Sequence, residues 1–193
     1  GRFAIGNKDL LEGVKGFSEQ PITFDINQET NIAKISYQNG MFSMPIESAD
    51  EFPEAQKVSE NASVITLPSN TLADNLGRTL FATAQDELRP VMNGVYFDLT
   101  PECLAIVASD GHKLVRNKVF NIQSEQPASF ILPKKPATLL RNMLQKEGGD
   151  VVIRFDERNA EISFDEGSIT CRLIEGRYPN YNGVIPQNNS NVI

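Results

Sequence analysis

Apolar positions along this chain fall mostly into short alternating runs set off by turn residues, and a helical spacing interrupts them three times. Residues 3–5 read as a short strand end, after which Asn7 can cap a helix carrying Leu10, Leu11, Val14 and Phe17 at helical spacing. Residues 22–26, 32–37 and 41–46 then alternate as strands, broken at Gln28-Glu29-Thr30 and Gln38-Asn39-Gly40. The order is β, α, β, β, β.

The same order returns twice. Residues 64–68 form a strand, Ser69 can cap a helix lined by Leu72, Leu76 and Leu80, and that helix ends before Arg89-Pro90. Val95, Phe97 and Leu99 alternate as a half-buried strand, with Pro101-Glu102 supplying the turn out of it. The unbroken apolar run 104–108 is too short for a helix and stops at Ser109-Asp110-Gly111, where glycine permits a bend and aspartate can bond its own turn. Strand pattern continues through Leu114 to Val119 and Phe120, and the place of any break in it stays open. The third copy has a strand at 130–133, then a helix with Pro136 in its first turn and Leu139, Leu140, Met143 and Leu144 inward. Gly148-Gly149 closes that helix, and strands follow at 151–155, 160–164 and 169–174.

The first and third copies align without a gap. Phe3 matches Phe130, Ile26 matches Ile153, Ala33-Lys34-Ile35-Ser36 matches Ala160-Glu161-Ile162-Ser163 and Gly40 matches Gly167, all at an offset of 127. After one deletion, Phe52-Pro53 matches Tyr178-Pro179. Solenoid periods run roughly 20 to 50 residues, so this is a repeated domain in which two copies make one unit. Residues 1–57 are then the latter half of one domain, 58–186 a whole one, and 187–193 a polar linker. Each copy lays an amphipathic helix on one face of antiparallel strands, an α+β arrangement.

Composition narrows the function classes. A hydrophobic fraction of 40% suffices for a buried core, no apolar run approaches a membrane span, and the first residues lack a signal peptide's apolar stretch. Cys103 and Cys171 stand far apart and outside metal-ligand spacing, which predicts reduced cysteines in a cytoplasmic protein without metal or cofactor. The net charge of -7 argues against a simple nucleic-acid binder. Locally, Lys134, Lys135, Arg141 and Lys146 are opposed by Glu147 alone, which reads either as a solvated helix face or as a surface for phosphates.

The only histidine, His112, follows Ser109-Asp110-Gly111. A nucleophile, base and orienting acid must converge, whereas neighbours on an extended chain point in alternating directions, so no catalytic residue is assigned. A polar strand end, a hydrolase using Asp110 and His112, and one wall of a groove floored by Leu114 and Met92 are the readings of the segment.

Asn93-Gly94 opening a strand, then Ser109-Asp110-Gly111-His112-Lys113-Leu114, then Glu175-Gly176-Arg177-Tyr178-Pro179-Asn180-Tyr181, together resemble the middle domain of the bacterial DNA polymerase III beta subunits, the sliding clamps. The resemblance implies a DNA-clamp fold and a non-catalytic processivity factor. Two subunits would join head to tail into a ring around double-stranded DNA, helices lining the hole and sheets outside. It implies DNA-facing roles for Lys8, Lys15, Arg78, Arg89, Lys134, Lys135 and Arg141, with Pro90-Val91 standing where the commonest pattern has aromatic residues. Partners with clamp-binding peptides, namely the polymerase III catalytic subunit, the clamp loader and repair polymerases, would enter a groove of Met92, Ser109, Gly111, His112, Leu114, Pro179 and Val184. Gly183 stands where the family often has arginine. Phe42 and Met44 would lie at the edge that pairs with another subunit in the homodimer, and the protein would work in the cytoplasm at the nucleoid. A β-rich module binding a ligand other than DNA is the rival class.

Overall fold

The computed structural model describes residues 2–54, 56–146, 148–165 and 167–186. The expected linker 187–193 lies outside the described residues. The chain divides into two compact units, Gly1–Glu54 and Ala55–Ile193.

In the first unit β1 (Phe3–Ile5), α1 (Asn7–Val14), β2 (Thr23–Asn27), β3 (Ile32–Tyr37) and β4 (Gly40–Ser48) follow in the expected order. The strands form one antiparallel sheet, ordered β1-β4-β3-β2. Alternation on β3 and β4 buries Ala33, Ile35, Met44 and Ile46, and Phe3, Ile5, Leu10, Ile22, Ile26 and Phe42 close partly over them. Two expectations for α1 fail. Gly6 occupies the N-cap position, so Asn7 is already helical and caps nothing. The helix stops at Val14, leaving Phe17 outside it with its ring centroid 4.2 Å from that of Tyr37. Gly13 rests on the Phe42 ring, where a Cβ would come within 2.7 Å, and this seating leaves Leu11 59% exposed.

The second unit contains β5 (Ser63–Pro68), α2 (Ser69–Thr79), β6 (Gly94–Leu99), β7 (Leu104–Ser109) and β8 (Leu114–Val119). Then come β9 (Ala128–Pro133), α3 (Lys134–Leu144), β10 (Asp150–Phe155), β11 (Asn159–Phe164) and β12 (Gly167–Arg172). Strands β7 and β8 are separate, and residues 110–113 turn between them. The repeat is visible in the elements themselves, because α3, β10, β11 and β12 each begin 127 residues after α1, β2, β3 and β4.

Two antiparallel sheets result, β12-β11-β10-β5 and β8-β7-β6-β9. The first strand of each copy therefore belongs to the other copy's sheet. Both exchanges keep one register: Pro68 faces Asp150 and Ile65 faces Ile153, as Pro133 faces Gly94 and Phe130 faces Phe97. Helices α2 and α3 pack side by side against both sheets. Leu72 and Leu76 from α2 and Leu80 just after it meet Ala137, Leu140 and Leu144 from α3 in one core with Phe97, Ile106, Phe130, Ile153 and Ile162.

The inward line of α3 is narrower than expected. Leu139 and Met143 are 46% and 44% exposed, because Ala137, Leu140 and Leu144 fill the face toward the sheets and rotate the other line outward. Ser69 is not a cap either; Pro68 holds that position, and the Ser69 hydroxyl donates to the Gly149 carbonyl at 3.0 Å. Gly149, at φ +82°, shapes the turn into β10 rather than ending the helix, which stops at Leu144. Among the described residues no helix is long and apolar enough to cross a membrane.

Candidate functional site

Three chain segments of the second unit converge beside the end of β7. The first is the turn after Ser109. The Ser109 hydroxyl donates to the Lys113 carbonyl at 2.8 Å and accepts from the Gly111 N–H at 3.1 Å. Asp110 Oδ1 accepts from the N–H groups of His112 and Lys113 at 3.0 and 2.9 Å, and Oδ2 pairs with Lys113 Nζ. The Lys113 ammonium first, then those N–H groups, hold the Asp110 carboxyl well below the usual carboxylate range. Gly111 needs its lack of a side chain twice over, with φ at +89° and Arg89 Nη1 only 2.7 Å from where a Cβ would stand.

The second segment is the bend before β6. Asp86 and Asn93 exchange hydrogen bonds of 3.0 Å, from the Asp86 N–H to Asn93 Oδ1 and from Asn93 Nδ2 to the Asp86 carbonyl. Arg89 Nε lies 2.8 Å from Asp86 Oδ2 and Met92 turns into the interior. The third segment leads away from β12. Tyr178 stacks on Tyr96 with ring centroids 4.6 Å apart, and Tyr181 donates to Asp98 Oδ2 at 2.7 Å. A short turn, Tyr181–Val184, follows, held by the Gly183 N–H on Asn180 Oδ1 and by Arg116 Nη1 on Asn182 Oδ1 at 2.8 Å.

Between the segments lies a cavity of about 460 Å³. Met92, Ser109, Gly111, His112, Leu114, Pro179 and Val184 all line it, together with Arg89, Lys113, Tyr178, Asn180 and Tyr181. Residues separated by up to 95 positions in sequence are thus brought to one wall-and-floor arrangement, apolar at Met92, Leu114, Pro179 and Val184. Such a groove suits side chains of an extended segment better than proton chemistry. His112 is exposed, the Asp110 carboxylate is spent on its own turn, and burial pushes the Tyr178 hydroxyl up to about 12.

The family described as DNA polymerase III beta subunit, central domain, matches residues 66–180. The chain belongs to this family. Among relatives of this beta-subunit chain are the beta sliding clamp of Synechococcus elongatus, 32% identical over 88% of the chain and 47% of that protein, and that of Haemophilus influenzae, 28% identical over 100% and 52%. The chain spans about half the length of the relatives it matches. A crystal structure of the DNA polymerase III subunit beta from Pseudomonas aeruginosa has the same fold, with a TM-score of 0.89, 24% identity and coverage of 97% of this chain and 52% of that one.

In this beta-subunit chain the basic residues singled out from sequence fall into three places. Arg78 on α2 and Lys134, Lys135 and Arg141 on α3 sit on neighbouring helices, with Arg141 Cδ 3.8 Å from the Cβ position of Gly77. Lys8 and Lys15, on and just after α1 of the first unit, are exposed. Arg89 instead stands on the rim of the cavity, tied to Asp86. Phe42 and Met44 share one face of β4 and contribute to the core of the first unit, Met44 buried and Phe42 partly so.

Sequence reasoning left Tyr178 and Tyr181 out of the groove, although both line it and carry its third wall. Their spacing around Pro179 was the available signal. A larger open cleft, about 690 Å³, lies elsewhere around Asp156, whose carboxylate accepts from the N–H groups of Ser59, Arg158 and Asn159.

Proposed function

We propose that the chain is part of a sliding clamp, the processivity factor that holds a DNA polymerase on its template. On this reading residues 1–57 are the latter half of the first clamp domain, 58–186 the middle domain and 187–193 the start of a link to a third. The full-length protein closes as a head-to-tail homodimer around double-stranded DNA, and the part of β4 that β1 leaves unpaired, carrying Phe42 and Met44, meets the other subunit. A ring holds DNA by topology, so Lys8, Lys15, Arg78, Arg89, Lys134, Lys135 and Arg141 need only meet phosphates through water, which permits sliding. The role is non-catalytic, and it places the protein in the cytoplasm at the nucleoid.

The polymerase III catalytic subunit, the clamp loader and repair polymerases dock by short peptides in the cavity beside His112. The observation that carries this is the convergence of Met92, Leu114, Pro179 and Val184 on one apolar cavity in a member of this family. Burying peptide side chains there gains roughly 25 cal/mol per Å² of apolar area. A nuclear magnetic resonance titration with a short clamp-binding peptide is expected to shift His112 and Leu114 first, and Leu114→Ala is expected to weaken binding several-fold or more. Shifts confined to residues remote from His112, or an unchanged affinity in the variant, would place the docking site elsewhere.

A further inference from the structure

The floor and one wall of the cavity beside His112 belong to different elements. Leu114 opens β8, and Val184 closes the short turn Tyr181–Val184. Side chains two apart on a strand share a face, so Arg116 stands on the side of β8 that Leu114 gives to the cavity. From there its guanidinium crosses to the turn, where Nη1 donates to Asn182 Oδ1 at 2.8 Å and joins residues 66 positions apart. Among the described residues Arg116 forms no ion pair, so this amide is the partner that orients it. Local bonds give the turn its shape but not its place. The Gly183 N–H reaches Asn180 Oδ1 at 3.3 Å and the Ile185 N–H reaches the Asn182 carbonyl at 3.4 Å, both long and both within a few residues. The start of the turn is fixed from below, because Tyr181 donates to Asp98 and packs in the apolar cluster that holds Val107, the residue opposite Arg116 in the β7–β8 ladder. Past Tyr181 the Arg116 bond ties the turn to β8.

We propose that Arg116 is a positioning residue of the groove, a strut from β8 that sets the Val184 wall over the Leu114 floor through Asn182. The inference rests on the reading that the groove takes a peptide, and adds which residue fixes the width offered to the peptide's apolar side chains. A wall held in place before binding does not have to be ordered by the ligand, so the strut raises affinity without touching the peptide. Without it the turn is free to move about Tyr181, and part of the binding free energy goes into setting Val184. One strand then governs both surfaces, Leu114 directly and Val184 through the bond from Arg116.

Affinity of the full 193-residue chain for the clamp-binding peptide of the His112 titration tests it. Arg116→Met, which keeps an aliphatic stem, is expected to weaken binding about two- to tenfold. Asn182→Ala is expected to do the same, and an unchanged affinity in either variant overturns the proposal. Because both remove one bond, Arg116→Met with Asn182→Ala is expected to bind no worse than either alone, and losses that multiply overturn it. In a Val184→Ala chain Arg116→Met is expected to add nothing; an undiminished loss there means that the arginine does not act through the wall. Asn182→Asp exchanges the amide for a carboxylate that Arg116 can still hold. Its affinity is expected to exceed that of Asn182→Ala at low salt and to fall toward it as salt rises, a dependence that a role in general stability does not produce. Equal affinities at low salt count against the strut. Should the parent chain bind no peptide, the groove reading fails by itself, and the Val184 methyl resonances of the free chain decide the strut: displaced in Arg116→Met they support it, coincident with the parent they overturn it.

Discussion

Tyr178 has its ring on Tyr96 and its hydroxyl in the interior, so ionising it would place a charge where water is scarce. Burial raises it from the ordinary value of 10.0 to about 12. A raised value means that its contribution to stability is fully present below pH 10.0 and is lost as pH climbs through about 12. Alkaline unfolding followed by circular dichroism should therefore be shallower in Tyr178→Phe than in the parent, by about 1 to 2 kcal/mol across that window once partial solvent screening is allowed for. Tyr181 moves the same way, from burial first and then from its bond to Asp98, so the slope does not vanish. The seven groove residues could be placed together from motif resemblance, but this tyrosine support could not. Asp98 lies 83 positions from Tyr181, and no local pattern announces a hydrogen bond that long-range.

Helix α3 separates packing from patterning. Leu139 and Leu140 are adjacent and chemically identical, yet one is 46% exposed and the other fully buried. Leu140→Ala is expected to cost about 2 to 5 kcal/mol through lost burial and the cavity it leaves, while Leu139→Ala should stay within about 0.5 kcal/mol. Urea unfolding of the two variants checks the difference. Periodicity located the three helices of the described residues and nearly all their strands, since alternation and helical spacing are local properties of the chain. It misplaced the caps at Asn7 and Ser69 because the residue before each, Gly6 or Pro68, takes the cap position with no side-chain bond to signal it. It also kept both Leu139 and Leu140 inward, because adjacent leucines extend one apolar stripe and the pattern does not reveal that Ala137, Leu140 and Leu144 alone fill the inward face. Which sheet each opening strand joins is likewise invisible locally: residues 128–133 have the same alternation whether they pair with β10 or β6.

On the scale of the whole chain, a net charge of -7 and a local group of basic residues on α2 and α3 set opposing tendencies toward DNA. Binding of duplex DNA by this chain is expected to be weak and to fall steeply with salt, as counterion release requires for contacts made to phosphates alone. Fluorescence anisotropy with a short duplex at rising salt measures it, and tight binding that survives physiological salt would contradict the water-mediated lining. The exchange of opening strands has a further consequence, in time rather than in space. Strand β5 ends at Pro68, and its ladder partner β10 ends at Phe155, so β5 leaves the ribosome long before anything exists for it to pair with. At roughly 5 to 20 residues per second the wait is on the order of 4 to 17 seconds, and most of it passes before α3, the main neighbour of α2, is complete. Neither copy can finish folding ahead of the other. The nascent second unit thus keeps an unpaired strand edge until its last strands emerge, and a synonymous change that slows translation between them lengthens that exposure.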